Sequence, residues 1–351
     1  MNHSPALEAW IMAGKRELLA GHGIFTRVQA ETGKEPLLLI HGYPTASFDW
    51  HPIWHGLAAR YSLYALDMLG FGLSDKPRDC SYPITLQADL CEALLARHGV
   101  VRPHVLAHDY GVTVAQELLA REREGRLPLA SVCFLNGGLF PETHRARPVQ
   151  KLLANRWLGP VLARAMNYDG FARTMRGIGG RKPPPEQDLR DLWTLIVRDN
   201  GRQALARLIN YMEQRRANRP RWVGALVESS VPRRLLCGAL DPVSGRHLAE
   251  RYRELVPEPD VVVFDDLGHY PHLEAPPAIL AAYLEFRDLP ALRRARTPLP
   301  GCRRCPRGQR RRSVLHRSAP GSRSRSSARA YRAAIGTCGL RTRRTPRRRT
   351  S

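Results

Sequence analysis

The sequence contains no apolar run that approaches the length of a membrane-spanning helix. Its first residues also lack the charged-then-apolar pattern of a secretory signal peptide. These two absences argue against an integral membrane protein with helical spans and against a secreted one. We therefore expect a soluble protein with no membrane span that resides in the cytoplasm.

Cysteine is scarce, and the seven residues follow no disulfide framework. Four of them lie in or near predicted core elements, as expected of reduced thiols in a cytosolic protein: Cys80, Cys91, Cys133 and Cys237. Near Cys302 and Cys305 the only further ligand candidates are His316 and Cys338, which makes a zinc site improbable. The sequence thus predicts neither a metal nor a cofactor.

Acidic residues are absent after Asp288. Of the 55 lysines and arginines, 20 are arginines of residues 289–351, which leaves 35 basic against 32 acidic residues before them. The net charge of +23 is therefore a property of the tail. The composition of residues 290–351 predicts a disordered segment that can bind polyanions without specificity, and it is also typical of GC-rich DNA translated out of frame.

Short apolar runs alternate with helical patterns along most of the chain, after a lead-in up to Gly21 that we expect to be irregular or helical. Continuous apolar runs such as 36–42 are typical of buried parallel strands. From 141 to 230 the pattern is helical only. This predicts an α/β protein with a mostly parallel, doubly wound sheet, whose body (1–140 and 231–289) carries an inserted helical cap.

One acidic residue, Asp109, lies where the apolar run after Pro103 changes directly into a helical pattern. Small residues, Ala107 and Gly111, flank it two positions away on either side. This spacing is typical of a nucleophile elbow, a turn so tight that its flanking side chains must be small. The alternative is that Asp109 merely caps a helix, a common role for aspartate.

Two further polar residues follow predicted strands in the order that such an elbow requires, nucleophile, acid and then histidine. Asp241 comes after the strand at 233–238, and His269 lies in the loop after the last strand. Both fall at the carboxyl ends of parallel strands, where α/β sheets place their sites. His272 is an alternative base, and Asn136 an alternative orienting group.

The arrangement of Asp109, Asp241 and His269 resembles that of the α/β-hydrolase superfamily. Within it, the Asp nucleophile, the loop His41–Pro44 and the Gly-His-x-x-x-x-Glu-x-Pro segment at 268–276 resemble the epoxide hydrolase and haloalkane dehalogenase branch. More narrowly, four stretches resemble the mesoderm-specific transcript-like hydrolases: Ser47–Trp50, Leu69–Pro77, His108–Gly111 and Asn136–Arg145. The resemblance spans roughly residues 35–289. It implies the α/β-hydrolase fold and a hydrolase that acts on a small apolar molecule. The substrate of the subfamily does not carry over.

The nucleophile type determines the predicted chemistry. A carboxylate attacks an sp³ carbon that bears a leaving group or strained ring, which would leave an ester on Asp109. His269, oriented by Asp241, would then activate the water that hydrolyses the ester. Backbone N–H groups of Tyr43 and Tyr110 would stabilise the oxyanion. His41 and His108 are expected to be structural.

The leaving group separates the possible substrates. Epoxide opening needs an acid, for which the cap offers Tyr211 and, second, Tyr168, although either could simply pack. Halide departure favours a tryptophan after the nucleophile and an asparagine after His-Gly, where this chain has Tyr110 and Tyr43. Epoxide hydrolysis is therefore favoured over haloalkane dehalogenase or esterase-like activity. We expect a monomer or a homodimer. The alternative of another class is a non-catalytic binding protein on the same fold.

Overall fold

The structure, a computed structural model, describes residues 3–289. In this part of the chain eight strands form one sheet, and their bounds are β1 (Lys15–Leu19), β2 (His22–Gln29), β3 (Glu35–Ile40), β4 (Tyr61–Leu66), β5 (His104–His108), β6 (Ser131–Leu135), β7 (Arg233–Gly238) and β8 (Asp260–Phe264). Their order across the sheet is β1-β2-β4-β3-β5-β6-β7-β8. β1, β2 and β4 pair antiparallel, and all other neighbours pair parallel.

The described helices are α1 (Pro5–Met12), α2 (His51–Ala58), α3 (Ile84–Arg97), α4 (Tyr110–Arg123), α5 (Pro148–Leu153), α6 (Gly159–Ala165), α7 (Tyr168–Ile178), α8 (Glu186–Val197), α9 (Gly201–Leu208), α10 (Tyr211–Ala217), α11 (Arg219–Glu228), α12 (Arg246–Leu255), α13 (Pro271–Glu274) and α14 (Pro276–Asp288). Helix α14 packs with α2, while α3 packs with α4. The two helix pairs cover the sheet as expected of a doubly wound fold.

The central strands owe their position to composition. Every residue of β4, β5 and β6 is buried, which suits strands covered by helices on both faces. Their side chains form the core together with the apolar face of α4, whose residues 110–121 are all buried. The carboxyl ends of β5, β6 and β7 consequently meet at one edge of the sheet, where their loops can combine into a site.

Between β6 and β7 the described chain forms only helices, α5 to α11 with two short 3-10 turns, and we call residues 141–230 the cap. The cap is tied to the body through its last helix, because α11 packs along α4. There Glu117 accepts hydrogen bonds from Arg121 (2.9 Å), Arg221 (2.7 Å) and the indole of Trp222 (2.8 Å). This buried, charge-assisted cluster fixes one end of the cap.

The strands predicted at 36–42 and 233–238 are found at Glu35–Ile40 and Arg233–Gly238, but the N-terminus differs from its prediction. The lead-in before Gly21 contains α1 and also β1, an edge strand that pairs with β2 from Lys15↔Thr26 to Leu19↔His22. Sequence patterning missed β1 because only Glu17 and Leu19 of its five residues are buried. Pairing with β2, rather than an apolar pattern, makes it a strand.

The described residues include four of the seven cysteines and can be searched for membrane-spanning helices. The first four cysteines are free and buried, as the sequence predicts. Within residues 3–289 no helix has both the length and the apolar character that crossing a membrane requires. The predicted tail, with Cys302, Cys305, His316 and Cys338, lies outside the described residues.

Candidate active site

Asp109 occupies a sharp turn between β5, which ends at His108, and α4, which begins at Tyr110. Its backbone has φ +44° and ψ −104°, a conformation that costs a non-glycine residue roughly 1–3 kcal/mol. The peptide N–H of Asp109 donates to the carbonyl of Asn136 at 2.8 Å. Its side chain makes no capping bond to α4, so the helix-cap alternative does not describe this carboxylate.

Small residues surround this turn because the chain segments approach closely. A Cβ atom added at Gly111 would lie 2.5 Å from the carbonyl oxygen of Ile40, and one at Gly137 would lie 2.8 Å from Cα of Asp109. Ala107, at the position where elbows usually have glycine, pairs with Ile40 inside the sheet. The turn therefore depends on Gly111 and Gly137, whereas Ala107 tolerates its methyl group.

Replacing Gly111 with alanine is expected to destabilise the fold by about 1–3 kcal/mol, because the new methyl group meets rigid backbone. Gly177→Ala is the matched control: no atom lies within 4 Å of its added Cβ, and it lies within α7. Alanine should stabilise that helix by about 0.5–1 kcal/mol. Urea unfolding of both variants measures the difference, and equal effects would show that the elbow is not tightly packed.

His269 and Asp241 form a hydrogen-bonded pair beside Asp109. Nδ1 of His269 lies 2.7 Å from Oδ2 of Asp241, and Nε2 lies 3.8 Å from Oδ1 of Asp109. All three residues are buried. Asp241 also accepts from the N–H of Val243 at 2.7 Å and the hydroxyl of Ser244 at 2.6 Å, so its position is fixed. The structure thus brings together the three residues that the sequence singles out.

The charges of this trio shift the pKa of its members in opposite directions. Burial lowers the pKa of His269, but the charge and hydrogen bond of Asp241, with the charge of Asp109, outweigh it and raise the pKa to about 9. Burial raises the pKa of Asp241, but its interactions with His269, Ser244 and Val243 hold it below its ordinary value. The favoured state is an imidazolium hydrogen-bonded to a carboxylate.

The loop that carries His269 is held by a carboxylate. Glu274 accepts hydrogen bonds from the backbone N–H groups of Gly268 (2.7 Å), Tyr270 (3.0 Å) and Gly180 of the cap (2.8 Å). This arrangement explains the glutamate five positions after the histidine in the sequence. It also joins the histidine loop to the cap through Gly180.

The alternatives to this trio have other partners. Asn136 donates to Oδ2 of Asp241 at 3.0 Å and to two backbone carbonyls, so it supports Asp241 and does not replace it. His272 packs against Trp50 with ring centroids 4.8 Å apart, within a fully buried environment. His41 accepts from the N–H of Met68 through Nε2 at 3.0 Å. Two further carboxylates shortly before His269, Asp265 and Asp266, are exposed and pair with arginines at the surface.

The two predicted oxyanion residues lie on either side of Asp109. The N–H of Tyr43 donates to Oδ2 of Asp109 at 3.0 Å. Tyr110 is the first residue of α4, where backbone N–H groups are free of helical partners. Its ring is buried between those of Phe71 and Tyr211, at centroid distances of 5.4 and 5.2 Å.

The structure separates the two tyrosines of the cap. Tyr211 is buried, and its ring lies 5.9 Å from that of Tyr43. Burial and the charge of Asp109 raise the pKa of Tyr211. Tyr168, by contrast, donates its hydroxyl to Glu186 at 2.5 Å on the cap surface, with Arg190 over its ring. The placement of Tyr168 as an acid at the site is therefore wrong, since a surface carboxylate holds its hydroxyl.

One residue that the sequence did not single out contacts the elbow directly. Arg215 is buried, donates to the carbonyl of Asp109 at 3.2 Å and to the hydroxyl of Thr113 at 2.6 Å, and stacks on Tyr211 at 4.4 Å. No acidic side chain of residues 3–289 pairs with it. Arg215 is one of many arginines in the cap sequence, so no local pattern distinguishes it.

A cavity of about 500 Å³ contains Asp109 and His269 in its wall. Tyr43, Pro44 and Val243 also contribute from the body, and the rest of the lining comes from the cap. Most of the cap side chains are apolar: Val149, Leu152, Leu153, Leu162, Ala165, Met166, Phe171, Met175 and Ile178. The volume suits a small organic molecule, and the apolar lining suits an apolar one.

Among the described residues, one buried group has the ligand types and spacing that could hold a metal ion, namely Asp49, His108 and His272, with one ligand atom each within 4.8 Å of one another. His108 interacts through Nε2 with the carbonyl of His269 at 2.8 Å, and its Nδ1 has no partner. Zinc bonds to nitrogen and oxygen are about 2.0–2.2 Å long. Two ligand atoms as far apart as 4.8 Å would therefore have to move closer together before both could bind one zinc ion.

A mostly parallel sheet with a carboxylate on the turn after β5, an acid after β7 and a histidine after β8 defines an α/β-hydrolase fold. The chain belongs to the alpha/beta hydrolase family, which it matches over residues 37–283. The family and the fold that the sequence predicts are thereby confirmed.

The mesoderm-specific transcript-like resemblance that the sequence predicts is confirmed by curated relatives. The chain is 43% identical to the mesoderm-specific transcript protein of Mus musculus over 295 residues, which cover 81% of this chain and 88% of that protein. Haloalkane dehalogenase DbeA from Bradyrhizobium elkani superposes with a TM-score of 0.68 at 20% identity, over 80% of this chain and 99% of that one. The epoxide hydrolase CorEH gives a TM-score of 0.66 at 16% identity, with 78% and 98% covered. These two likenesses establish the fold alone.

Proposed function

We propose that the protein is a hydrolase in which Asp109 attacks an sp³ carbon of an apolar epoxide and becomes an alkyl ester. The observation that carries the proposal is the position of the Asp109 carboxylate. One oxygen accepts from the N–H of Tyr43, the other lies 3.8 Å from Nε2 of His269, and both residues line the same apolar cavity as Asp109. A carboxylate held in this way is oriented for attack on a substrate carbon in the cavity.

In the second half-reaction His269 removes a proton from water, which attacks the carbonyl carbon of the ester. The oxyanion that forms on the former carboxylate is stabilised by the N–H of Tyr43, already 3.0 Å from that group, and by the N–H of Tyr110. Asp241 holds the tautomer and orientation of His269 through the 2.7 Å hydrogen bond to Nδ1. The tetrahedral intermediate then collapses as the bond to the diol oxygen breaks. The leaving oxygen takes the remaining proton of the attacking water, and the Asp109 carboxylate is restored.

The charge state of His269 links the two half-reactions. With a pKa raised to about 9, His269 is an imidazolium at neutral pH and cannot yet act as a base. Ring opening creates an alkoxide that takes the proton of Tyr211. Once the ester has formed, the imidazolium returns a proton to the tyrosinate, a step that alkylation itself does not need. Esterification also removes the charge of Asp109, one cause of the raised pKa. His269 is therefore neutral when the ester needs a base.

The choice of an epoxide over a haloalkane rests on the leaving group. Tyr211 lies beside Tyr43 and Tyr110, and the charge of Asp109 reaches it, so an acid is available for an alkoxide. A halide ion would instead need N–H donors, and the chain has tyrosines at the two positions where tryptophan and asparagine are typical of dehalogenases. Screening the wild-type protein against terminal epoxides, chloroalkanes and short esters tests the choice. Hydrolysis of esters or halides alone would contradict it.

Tyr211→Phe is expected to slow alkylation by an epoxide by about 10² to 10⁴-fold, the usual contribution of a general acid. Tyr168→Phe is the matched control, because it also removes a tyrosine hydroxyl, but one that is bound to Glu186 at the surface. Single-turnover kinetics with an epoxide should separate the two variants. If Tyr211→Phe alkylates at the wild-type rate, Tyr211 is a packing residue and the proton comes from elsewhere.

A further inference from the structure

The cap presents apolar side chains to solvent on neighbouring elements. Helices α5 and α6 and the loop between them expose five large apolar residues: Val149 (40%), Leu152 (48%), Trp157 (73%), Leu158 (51%) and Val161 (61%). We call these residues the α5–α6 face. A soluble protein rarely exposes so many large apolar side chains close together without a partner for them.

The same segment is strongly basic. Residues 143–168 contain no aspartate or glutamate, whereas they contain five cations, Arg145, Arg147, Lys151, Arg156 and Arg164. Within residues 3–289 none of these five is paired with an acidic side chain, although most arginines of the cap that lie outside this segment form ion pairs. The guanidinium of Arg156 lies over the ring of Trp157 at 4.6 Å. Apolar and cationic side chains are thus interleaved.

The face adjoins the cavity. Val149 and Leu152 belong to the face and also line the cavity, as does the neighbouring Arg147. The cavity wall then continues over Leu153 and Leu162 of the same two helices to the wall that Asp109 and His269 form. A partner seated on the face would therefore lie beside the cavity.

We propose that the α5–α6 face docks on an anionic lipid bilayer, with its apolar side chains among the acyl chains and its cations at the headgroups. Exposed aromatic and aliphatic side chains surrounded by lysines and arginines are typical of surfaces that bind anionic membranes. A second copy of the chain is a poorer partner. In a two-fold dimer the same five cations would face one another across an apolar contact, and like charges oppose such an association.

Trp157 supplies a reporter for docking. All six tryptophans lie within residues 3–289, and the other five are buried: Trp10, Trp50, Trp54, Trp193 and Trp222. Residues 289–351 contain many arginines but no tryptophan, so their binding to anionic vesicles does not by itself change the signal. The full chain can therefore be used, with vesicles of phosphatidylglycerol and bromine-labelled phosphatidylcholine that quench an inserted indole.

We expect these vesicles to quench the fluorescence of Trp157 and neutral phosphatidylcholine vesicles to do so much less. The quenching should be lost in Trp157→Phe, which assigns it. The double variant Leu158→Ser with Val161→Ser should bind the vesicles at least about ten-fold more weakly, as read from the quenching of Trp157, because two apolar side chains no longer enter the bilayer. Met12→Ser with Val101→Ser is the control, because these apolar residues are even more exposed (79% and 71%) but lie outside the face. This control should match wild type.

Two results would overturn the docking proposal. One is that anionic vesicles leave the fluorescence of Trp157 unquenched, or quench the Leu158 and Val161 variant as strongly as wild type. The other is that Trp157 becomes shielded from a soluble quencher as protein concentration rises without lipid, which would make the face a contact between copies. None of these measurements requires turnover, so they are independent of the proposed hydrolase chemistry.

Discussion

Replacing Asp109 with alanine is expected to abolish turnover, with a loss on the order of 10⁴-fold or more, as for removal of a covalent nucleophile. No other carboxylate among the described residues has both an N–H of the Tyr43 turn and the imidazole of His269 beside it. The melting temperature should stay near that of wild type. The variant loses a hydrogen bond from Tyr43 but also removes a buried charge, and the two effects partly offset each other.

The measurement is steady-state turnover of an epoxide that the wild-type protein hydrolyses, together with a thermal melt of each variant. Asp266→Ala is the control, because it also removes a carboxylate but one that pairs with Arg181 at the surface. It should retain full activity. An Asp109→Ala protein that folds and still turns over the substrate would show that the nucleophile is elsewhere.

Replacing His269 with glutamine is expected to stop the reaction after its first half. Asp109 can still be alkylated, but no group is left to activate the water, so the ester should accumulate. The intact mass of the protein should rise by the mass of the substrate, and digestion should place the added mass on the peptide with Asp109. His272→Gln should accumulate no ester, because His272 packs on Trp50 and makes no hydrogen bond to Asp241.

The outcome separates two roles for His269. A stable adduct in His269→Gln supports the role of a base in hydrolysis. If the variant binds substrate and forms no adduct, His269 is needed for the first step and the proposed scheme is wrong. If His272→Gln is the variant that traps the ester, the assignment of the two histidines is reversed.

Much of this fold could be predicted from the sequence because it is encoded locally. Continuous apolar runs between helical patterns located the buried parallel strands, and the strand predicted at 233–238 has these same bounds in the structure. The turn at Asp109 could be predicted from the small residue Gly111, because close packing against Ile40 leaves no room for a side chain there. The trio of Asp109, Asp241 and His269 followed from their places after strands.

What the sequence did not reveal depends on contacts between distant segments. The edge strand β1 is defined by its partner β2, and its own residues have almost no strand pattern. Arg215 reaches the carbonyl of Asp109 only because α10 packs near the elbow. Tyr168 and Tyr211 have similar sequence contexts in the cap, but helix packing places Tyr168 at the surface and buries Tyr211 beside Tyr43 and Tyr110. The catalytic roles themselves stay predictions until they are measured.

The most direct measurement of the central claim is the fate of an oxygen isotope during hydrolysis in water enriched in oxygen-18. If Asp109 forms an ester that water attacks at the carbonyl carbon, the first turnover releases a diol whose new oxygen is unlabelled. The peptide that contains Asp109 then becomes heavier by one isotopic oxygen. If water attacks the substrate directly, the diol of the first turnover carries the label and Asp109 stays unlabelled, which would contradict the account.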